Sequence, residues 1–244
     1  MIRLHAGNAS EWTGPTGNNT YLLPGSVPTL IDAGVGAAAH LNALSATLGG
    51  ASLSRVLITH GHTDHASGVP ALLERWPLLD VRGGGHGELR DGERIDAGGT
   101  HVTMLHTPGH APDHYCFFDE VSGDFFCGDL MRLGGTIVIP ASRGGDLQQY
   151  LASLERVRAL SPRRVLPGHG PAIDDPLRII DEYVEHRARR ERQILEAIAA
   201  GFTTPETIVP RVYGALPPAL VRAAADSVLA HLIKLKRDGR VQAG

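Results

Sequence analysis

The sequence predicts a layered α/β sandwich followed by a small helical appendage. Three observations carry this reading. Short apolar runs of strand length alternate with helical runs over the first ~175 residues. Several of those runs end in a glycine turn that carries a histidine or an aspartate. Strand signals then vanish from about residue 176, and charged helical runs replace them.

Taken in order, Tyr21-Leu22-Leu23 and Thr29-Leu30-Ile31 read as strands separated by a Pro24-Gly25 turn. Residues 36–48 place Ala39, Leu41, Ala43, Leu44 and Leu48 at helical spacing. Arg55-Val56-Leu57-Ile58 is a buried strand running into a histidine-rich loop. Leu72, Leu73 and Trp76 mark a helix closed by Pro77. Val102-Thr103-Met104-Leu105, Tyr115-Cys116-Phe117-Phe118 and Asp124-Phe125-Phe126-Cys127 are further strands. An amphipathic helix over 147–160 and the strand Arg164-Val165-Leu166 follow. A long helix runs from roughly Leu177 to Ala200. Thr204 then caps a helix with Pro205 at its first position. The last helix spans about Pro217 to Arg237 and stops at Asp238-Gly239. Residues 1–177 are expected to form one domain and 178–244 the appendage, whose last residues, Val241-Gln242-Ala243-Gly244, leave no room for a full hairpin after the final helix.

Composition narrows the function classes. In 244 residues, 42% hydrophobic and 20% charged content supplies a core and a solvated surface. No stretch approaches ~20 uninterrupted apolar residues, which excludes a membrane-spanning helix. Met1-Ile2-Arg3-Leu4-His5 lacks the charged-then-apolar pattern of a signal peptide, so a cytoplasmic location is expected. Cys116 and Cys127 cannot build a disulfide framework and suit a reducing compartment. The net charge of −3 divides into −6 over residues 1–177 (12 basic, 18 acidic) and +3 over 178–244 (11 basic, 8 acidic). The unusual residue is histidine: of thirteen, eight fall between His60 and His114.

Those histidines form a motif. Thr59-His60-Gly61-His62-Thr63-Asp64-His65 is an H-x-H-x-D-H run directly after a predicted strand. In an extended exit, His60, His62 and Asp64 project to one side, and a turn brings His65 round to a second metal. Imidazole and carboxylate are the donors that a divalent ion such as zinc prefers. Four donors are too few for two ions, so others must converge from elsewhere. His110 in Thr107-Pro108-Gly109-His110, Asp129 in Cys127-Gly128-Asp129 and His169 in Pro167-Gly168-His169-Gly170 are the candidates, each behind a glycine turn. Asp32 either accepts a ring N–H from a ligand histidine or serves turn chemistry. His114 lies near the cleft or is a hydrogen-bonded structural residue. Cys127 reads best as a small core side chain.

The order H-x-H-x-D-H, T-P-G-H, G-D, P-G-H-G resembles the metallo-β-lactamase superfamily, as do Asn19-Thr20-Tyr21-Leu22 and Ile31-Asp32-Ala33-Gly34. Within it the chain is most similar to the branch described as β-lactamase-like protein 2. The likeness includes Pro171, His186-Arg187, Arg190-Glu191-Arg192-Gln193-Ile194-Leu195, His231-Leu232 and Lys234-Leu235. The resemblance implies an αββα sandwich with a winged-helix-like appendage and a two-zinc site at one edge. His60, His62 and His110 would hold the first zinc, and Asp64, His65 and His169 the second. Asp129 would bridge both, and other divalent metals are compatible. A shared hydroxide would be the nucleophile, with Asp64 orienting it. Two divalent ions would turn the formal charge from −3 to +1.

Three activities compete. An endoribonuclease on single-stranded RNA follows from the branch and from Arg187, Arg189, Arg190, Arg192, Lys234, Lys236, Arg237 and Arg240 in the appendage. Against it, aromatic content is 5%, leaving few platforms for bases; the appendage serves dimerisation or core capping equally well. A small-molecule hydrolase of thioester, lactone, ester or β-lactam bonds uses the same nucleophile. A mononuclear iron oxygenase of the persulfide dioxygenase type needs fewer ligands than the seven present. A flavodiiron-like role is disfavoured by His62, where those proteins carry glutamate. The 39 residues between Asp129 and His169 exclude a β-CASP insertion.

Overall fold

Strands that carry apolar residues on both faces must be covered on both faces. The computed structural model, which describes residues 1–241, meets that demand with two facing sheets between helices. The first sheet orders β1 (Ile2–His5), β2 (Asn19–Leu23), β3 (Thr29–Ile31), β4 (Arg55–Leu57) and β5 (Asp80–Arg82) side by side. The second comprises β6 (Arg94–Ala97), β7 (Thr100–His106), β8 (Tyr115–Asp119), β9 (Asp124–Gly128) and β10 (Arg164–Pro167), again in sequence order. β3, β4 and β5 run parallel, as do β9 and β10; the other neighbours are antiparallel.

Alternation along the strands sorts the core into layers. Tyr21, Leu23, Ile31 and Leu57 meet Met104, Phe117, Phe126 and Leu166 between the sheets. Leu22, Leu30 and Val56 point the other way, onto Leu44 of α1 (Ala38–Leu48) and Leu72 of α3 (Val69–Arg75). On the far side, Phe125, Cys127 and Val165 pack against Tyr150 and Leu154 of α4 (Leu147–Leu160) and Ile180 of α5 (Pro176–Ala199). This is the expected αββα order, and Cys127 is a core side chain within it.

Helix α5 serves two cores. Its first half supplies Ile179, Ile180 and Tyr183 to the second sheet. Its second half supplies Ile194 and Ala197 to the appendage, with Ile208 and Val212 of α6 (Pro205–Tyr213) and Val228 and Leu235 of α7 (Pro218–Arg237). Thr204 precedes α6, its backbone N–H donating to Thr207 Oγ1 at 3.2 Å. The appendage is helical throughout its described residues, and the expected wing falls largely on 242–244, outside them. Among the described residues, no single helix is long and apolar enough to cross a membrane.

Three strands escape the sequence reading: β1, β5 and β6. All three are sheet edges with no more than two buried residues each. An edge strand is held by backbone pairing on one side, so it needs no apolar run for a pattern search to find. A second correction concerns Asp64. The chain does not leave β4 extended as far as that residue, because His62 caps the one-turn helix α2 (Thr63–Ala66), which carries Asp64 and His65.

Candidate metal centre

The C-terminal ends of β4, β9 and β10, and the loop after β7, open at the same edge of the sandwich. His60 and His62 leave β4, His110 follows β7, Asp129 follows β9 and His169 follows β10. Three sets of donor atoms converge there, each within 4.8 Å: His60, His62 and His110; His60, His65 and Asp129; Asp64, His65 and His169. The structure thus gathers all seven expected donors into one cluster. Glycines permit the approach. A Cβ on Gly168 would lie 2.6 Å from His65 Cε1, and one on Gly109 2.4 Å from the Tyr150 backbone. Gly109 also holds φ at +137°, where side chains are strained.

Hydrogen bonds fix which ring nitrogens face inward. His110 Nδ1 lies 2.8 Å from the Val138 carbonyl, so it carries the proton and Nε2 presents a lone pair. His60 Nδ1 lies 3.1 Å from Thr59 Oγ1, whose own proton goes to Asp32 Oδ2 at 3.1 Å, which again leaves Nε2 bare. Both bare nitrogens stand 2.9 Å from His62 Nδ1. The one proton that His62 Nδ1 can carry cannot serve both of these lone pairs, whereas a cation between the three nitrogens satisfies all of them. Asp129 Oδ1 is buried with no hydrogen-bond partner, although it lies 3.5 Å from His65 Nε2 and 3.2 Å from His169 Nε2. The donor set therefore fits a bound divalent metal.

Around the donors sits a polar frame. Asp32 takes a left-handed backbone (φ 60°), which an aspartate tolerates better than most residues. Its carboxylate accepts from His65 Nδ1 at 2.7 Å and from the Thr59 backbone at 2.7 Å. The turn chemistry and the histidine contact, alternatives in the sequence, coexist in one residue. His114 is fully buried, receives the Asp129 backbone N–H at 3.1 Å and meets Thr107 Oγ1 at 2.9 Å. Asn18, which sequence reasoning missed, donates to Asp64 Oδ2 at 3.1 Å. Its signal was the neighbouring Asn19, which opens β2.

Electrostatics separate the histidines. Burial, reinforced by neighbouring imidazoles, pushes His60 far down, His62 to about 4 and His114 to about 3. Burial also lowers His110. Burial opposes the charge on His65 and His169 as well, yet carboxylates overcome it. Asp32 and Asp129 hold His65 well above its usual range, and Asp129 with Asp64 raises His169 to about 9. Asp64 and Asp129 are both held below the usual carboxylate range: burial acts against this, but a hydrogen bond from His169 outweighs it at Asp64, as do the His169 and His65 charges at Asp129. A metal needs neutral imidazoles, so loading at neutral pH expels the protons of His65 and His169. Proton release on zinc addition, followed with a pH indicator in weak buffer, should be about two from these rings near pH 7. It should fall as pH passes about 9, while metal affinity rises. Release that ignores pH contradicts the assignment.

The cluster lines a cleft of about 730 Å³. Trp12, Ile137 and Val138 form one side; Leu216, Leu220, Ala223 and Ala224 face it from α7 and the loop before it. Arg187, expected among the cations of an open basic surface, is instead 3% exposed and lines this cleft. Of the other expected RNA contacts, Arg189, Arg192 and Lys236 are exposed, and the remaining four are engaged within the protein. Arg190 donates to the Val212 carbonyl at 2.9 Å, Lys234 to Glu191 and Asp238 at 2.9 and 2.7 Å, Arg237 to Asp146 and Arg240 to Glu191.

Comparison with known proteins matches this architecture. The metallo-beta-lactamase superfamily profile matches residues 13–88 and 78–169, and that of the beta-lactamase associated winged helix domain matches 204–244. The chain is 33% identical to lactamase-like protein adaB of Aspergillus niger (99% of this chain, 81% of the relative). It is 32% identical to a beta-lactamase-like protein 2 homolog of Caenorhabditis elegans (93% and 81%). It is 31% identical to an atrochrysone carboxyl ACP thioesterase of Aspergillus fumigatus (99% and 82%). A beta-lactamase domain protein from Burkholderia ambifaria shares the fold, with TM-score 0.85 at 22% identity over 98% of this chain and 85% of that one. TTHA1623 in a di-iron-bound form is 31% identical, with TM-score 0.57 over 67% of this chain and 93% of that one. Donors delivered from both sheets to a single edge, and a profile match spanning every one of them, lead to one conclusion: the chain belongs to the metallo-β-lactamase superfamily and is a metal-dependent hydrolase.

Proposed function

We propose that the protein is a dinuclear zinc hydrolase of carbonyl compounds, with thioesters as its best substrates. The observation that carries the reading is the cleft. It joins the donor cluster to an apolar wall on α7 and has the size of a small-molecule site. His60, His62 and His110 would hold one zinc, Asp64, His65 and His169 the other, with Asp129 between them. Bound there, the two ions supply a water acidified to near neutrality and polarise the carbonyl.

The chain's own residues do the rest. Asn18 and His169 fix the Asp64 carboxylate, at 3.1 and 3.4 Å, where it can orient the attacking water. Asp32 and the Val138 carbonyl hold the His65 and His110 rings in the tautomer that aims Nε2 inward. Asp64 and Asp129 stay ionised and bring no proton to a leaving group. A thiolate, whose parent thiol has a pKa of about 8.5, departs without one. That favours thioesters over phosphodiesters, whose alkoxide leaving group is far more basic. The internal pairing of Lys234, Arg237 and Arg240 points the same way, as does the thioesterase among the relatives. Two free, buried thiols, Cys116 and Cys127, suit a cytoplasmic enzyme.

A side-by-side assay tests this: N-acetylcysteamine thioesters, a lactone, a β-lactam and single-stranded RNA, with Asp129→Ala protein as the control for contaminants. Thioesters should turn over with kcat/KM of ~10⁴ M⁻¹s⁻¹ or more. RNA cleavage that needs Asp129, with every carbonyl substrate inert, would replace this reading with the nuclease.

A further inference from the structure

We propose that Arg187, with Arg132 and Arg143, forms a subsite for an anionic group on the substrate, selecting thioesters that carry a carboxylate or phosphate away from the scissile bond. The proposal rests on the thioesterase reading and adds the substrate's charge to it. Arg187 is a permanent cation at 3% exposure. Its Nη2 donates to Thr136 Oγ1 at 3.0 Å and to the Ile137 carbonyl, and its guanidinium lies 5.3 Å from the Tyr150 ring centroid. Those groups hold the side chain in place but are neutral. Its Nε is buried with no partner, and no carboxylate among the described residues lies within ion-pair distance. A buried charge without a counter-ion is costly, and an anionic ligand relieves that cost.

Arg187 also lies in the right place. It lines the same cleft as His62, Asp64, His110, Asp129 and His169. Three more cleft arginines share its lack of a carboxylate partner: Arg132, Arg143 and the exposed Arg222. Arg132 has a buried Nε with no partner, and Arg143 stands exposed on the single 3₁₀ turn 141–143. Of the cleft carboxylates outside the metal cluster, Asp226 is engaged by the Ser142 backbone and Glu11 is exposed. Planar guanidinium forks match carboxylate and phosphate oxygens in pairs.

A purely structural part for Arg187 is the competing reading, since Ile137 adjoins the Val138 carbonyl that orients His110. Such a strap would act alike on every substrate; a subsite separates charged from neutral ones. Two matched pairs read this out with the metal-loaded enzyme. Glutaryl- and pentanoyl-N-acetylcysteamine place the charge on the acyl side. Pentanoyl-4′-phosphopantetheine and pentanoyl-pantetheine place it on the thiol side. The charged member of one pair should show kcat/KM ~10-fold higher or more, carried by KM, and the pair that shows it identifies the source. Arg187→Gln should collapse the preference to within ~2-fold and Arg187→Lys restore part of it. Arg143→Gln, on an exposed turn, should weaken the preference as well, through a higher KM for the charged substrate. No preference in either pair, or one that survives in both Gln variants, overturns the subsite. If no thioester turns over, the thioesterase reading falls on its own. Calorimetry of glutarate against pentanoate, and of 4′-phosphopantothenate against pantothenate, then decides the subsite. Tenfold tighter binding of one charged member upholds it, and equal binding in both pairs overturns it.

Discussion

Replacing Asp129 with alanine should lower kcat/KM on the order of 10³-fold and strip metal from the protein. Asp129 is the donor that faces both histidine sets. Its Oδ1 lies 3.2 Å from His169 Nε2 and 3.5 Å from His65 Nε2, while Oδ2 lies 3.6 Å from His110 Nε2. Its negative charge is also a principal force raising His65 and His169. Without it the cluster keeps five imidazoles and a single carboxylate, Asp64. Asp129→Asn preserves shape but not charge, and should lose most of the metal as well. Elemental analysis beside the kinetics checks both variants. Full metal content with more than a tenth of wild-type turnover would contradict the assignment.

The second large effect is expected at Asp32, which touches no donor atom facing the cluster interior. Its carboxylate accepts from His65 Nδ1, the Thr59 backbone and Thr59 Oγ1, and is itself 2% exposed. Asp32→Ala leaves the buried His65 without its partner, and should cost about 3–5 kcal/mol of folding stability in denaturant titrations. Asp32→Asn is the sharper probe. Asn Oδ1 can still accept the Thr59 N–H, but the amide N–H₂ now faces His65 Nδ1. The His65 proton then moves to Nε2 and points at the metal position. Metal affinity should fall about 10–100-fold, with a smaller loss of stability than in Asp32→Ala. Unchanged affinity in Asp32→Asn would show that the His65 tautomer is set elsewhere.

How much of this was legible depends on how local each signal is. His110, Asp129 and His169 each follow an apolar run and a glycine, and the structure confirms that placement at strand ends or in the loop after β7. Asp64 and His65 were legible as donors but not as neighbours on a helical turn, since α2 spans only Thr63–Ala66. The edge strands β1, β5 and β6 were hidden because backbone pairing, not an apolar pattern, defines them. Arg187 left a readable trace: it falls one turn after Tyr183 on the apolar stripe formed by Ile179, Ile180, Tyr183 and Ile194. An arginine at a core position of an amphipathic helix signals a buried charge with a task. What no local pattern shows is its neighbour across the cleft, α7, brought there by the turn between α6 and α7. The cleft wall exists only once the appendage has docked, with Ala230 entering the core of the second sheet.

The most direct test is a zinc titration of metal-free protein during thioester hydrolysis. Turnover should rise to a plateau at two equivalents per chain, as expected if Asp64, His65 and His169 hold one ion and His60, His62 and His110 the other. A plateau at one equivalent, or activity restored by a single iron and not by zinc, would contradict the dinuclear hydrolase.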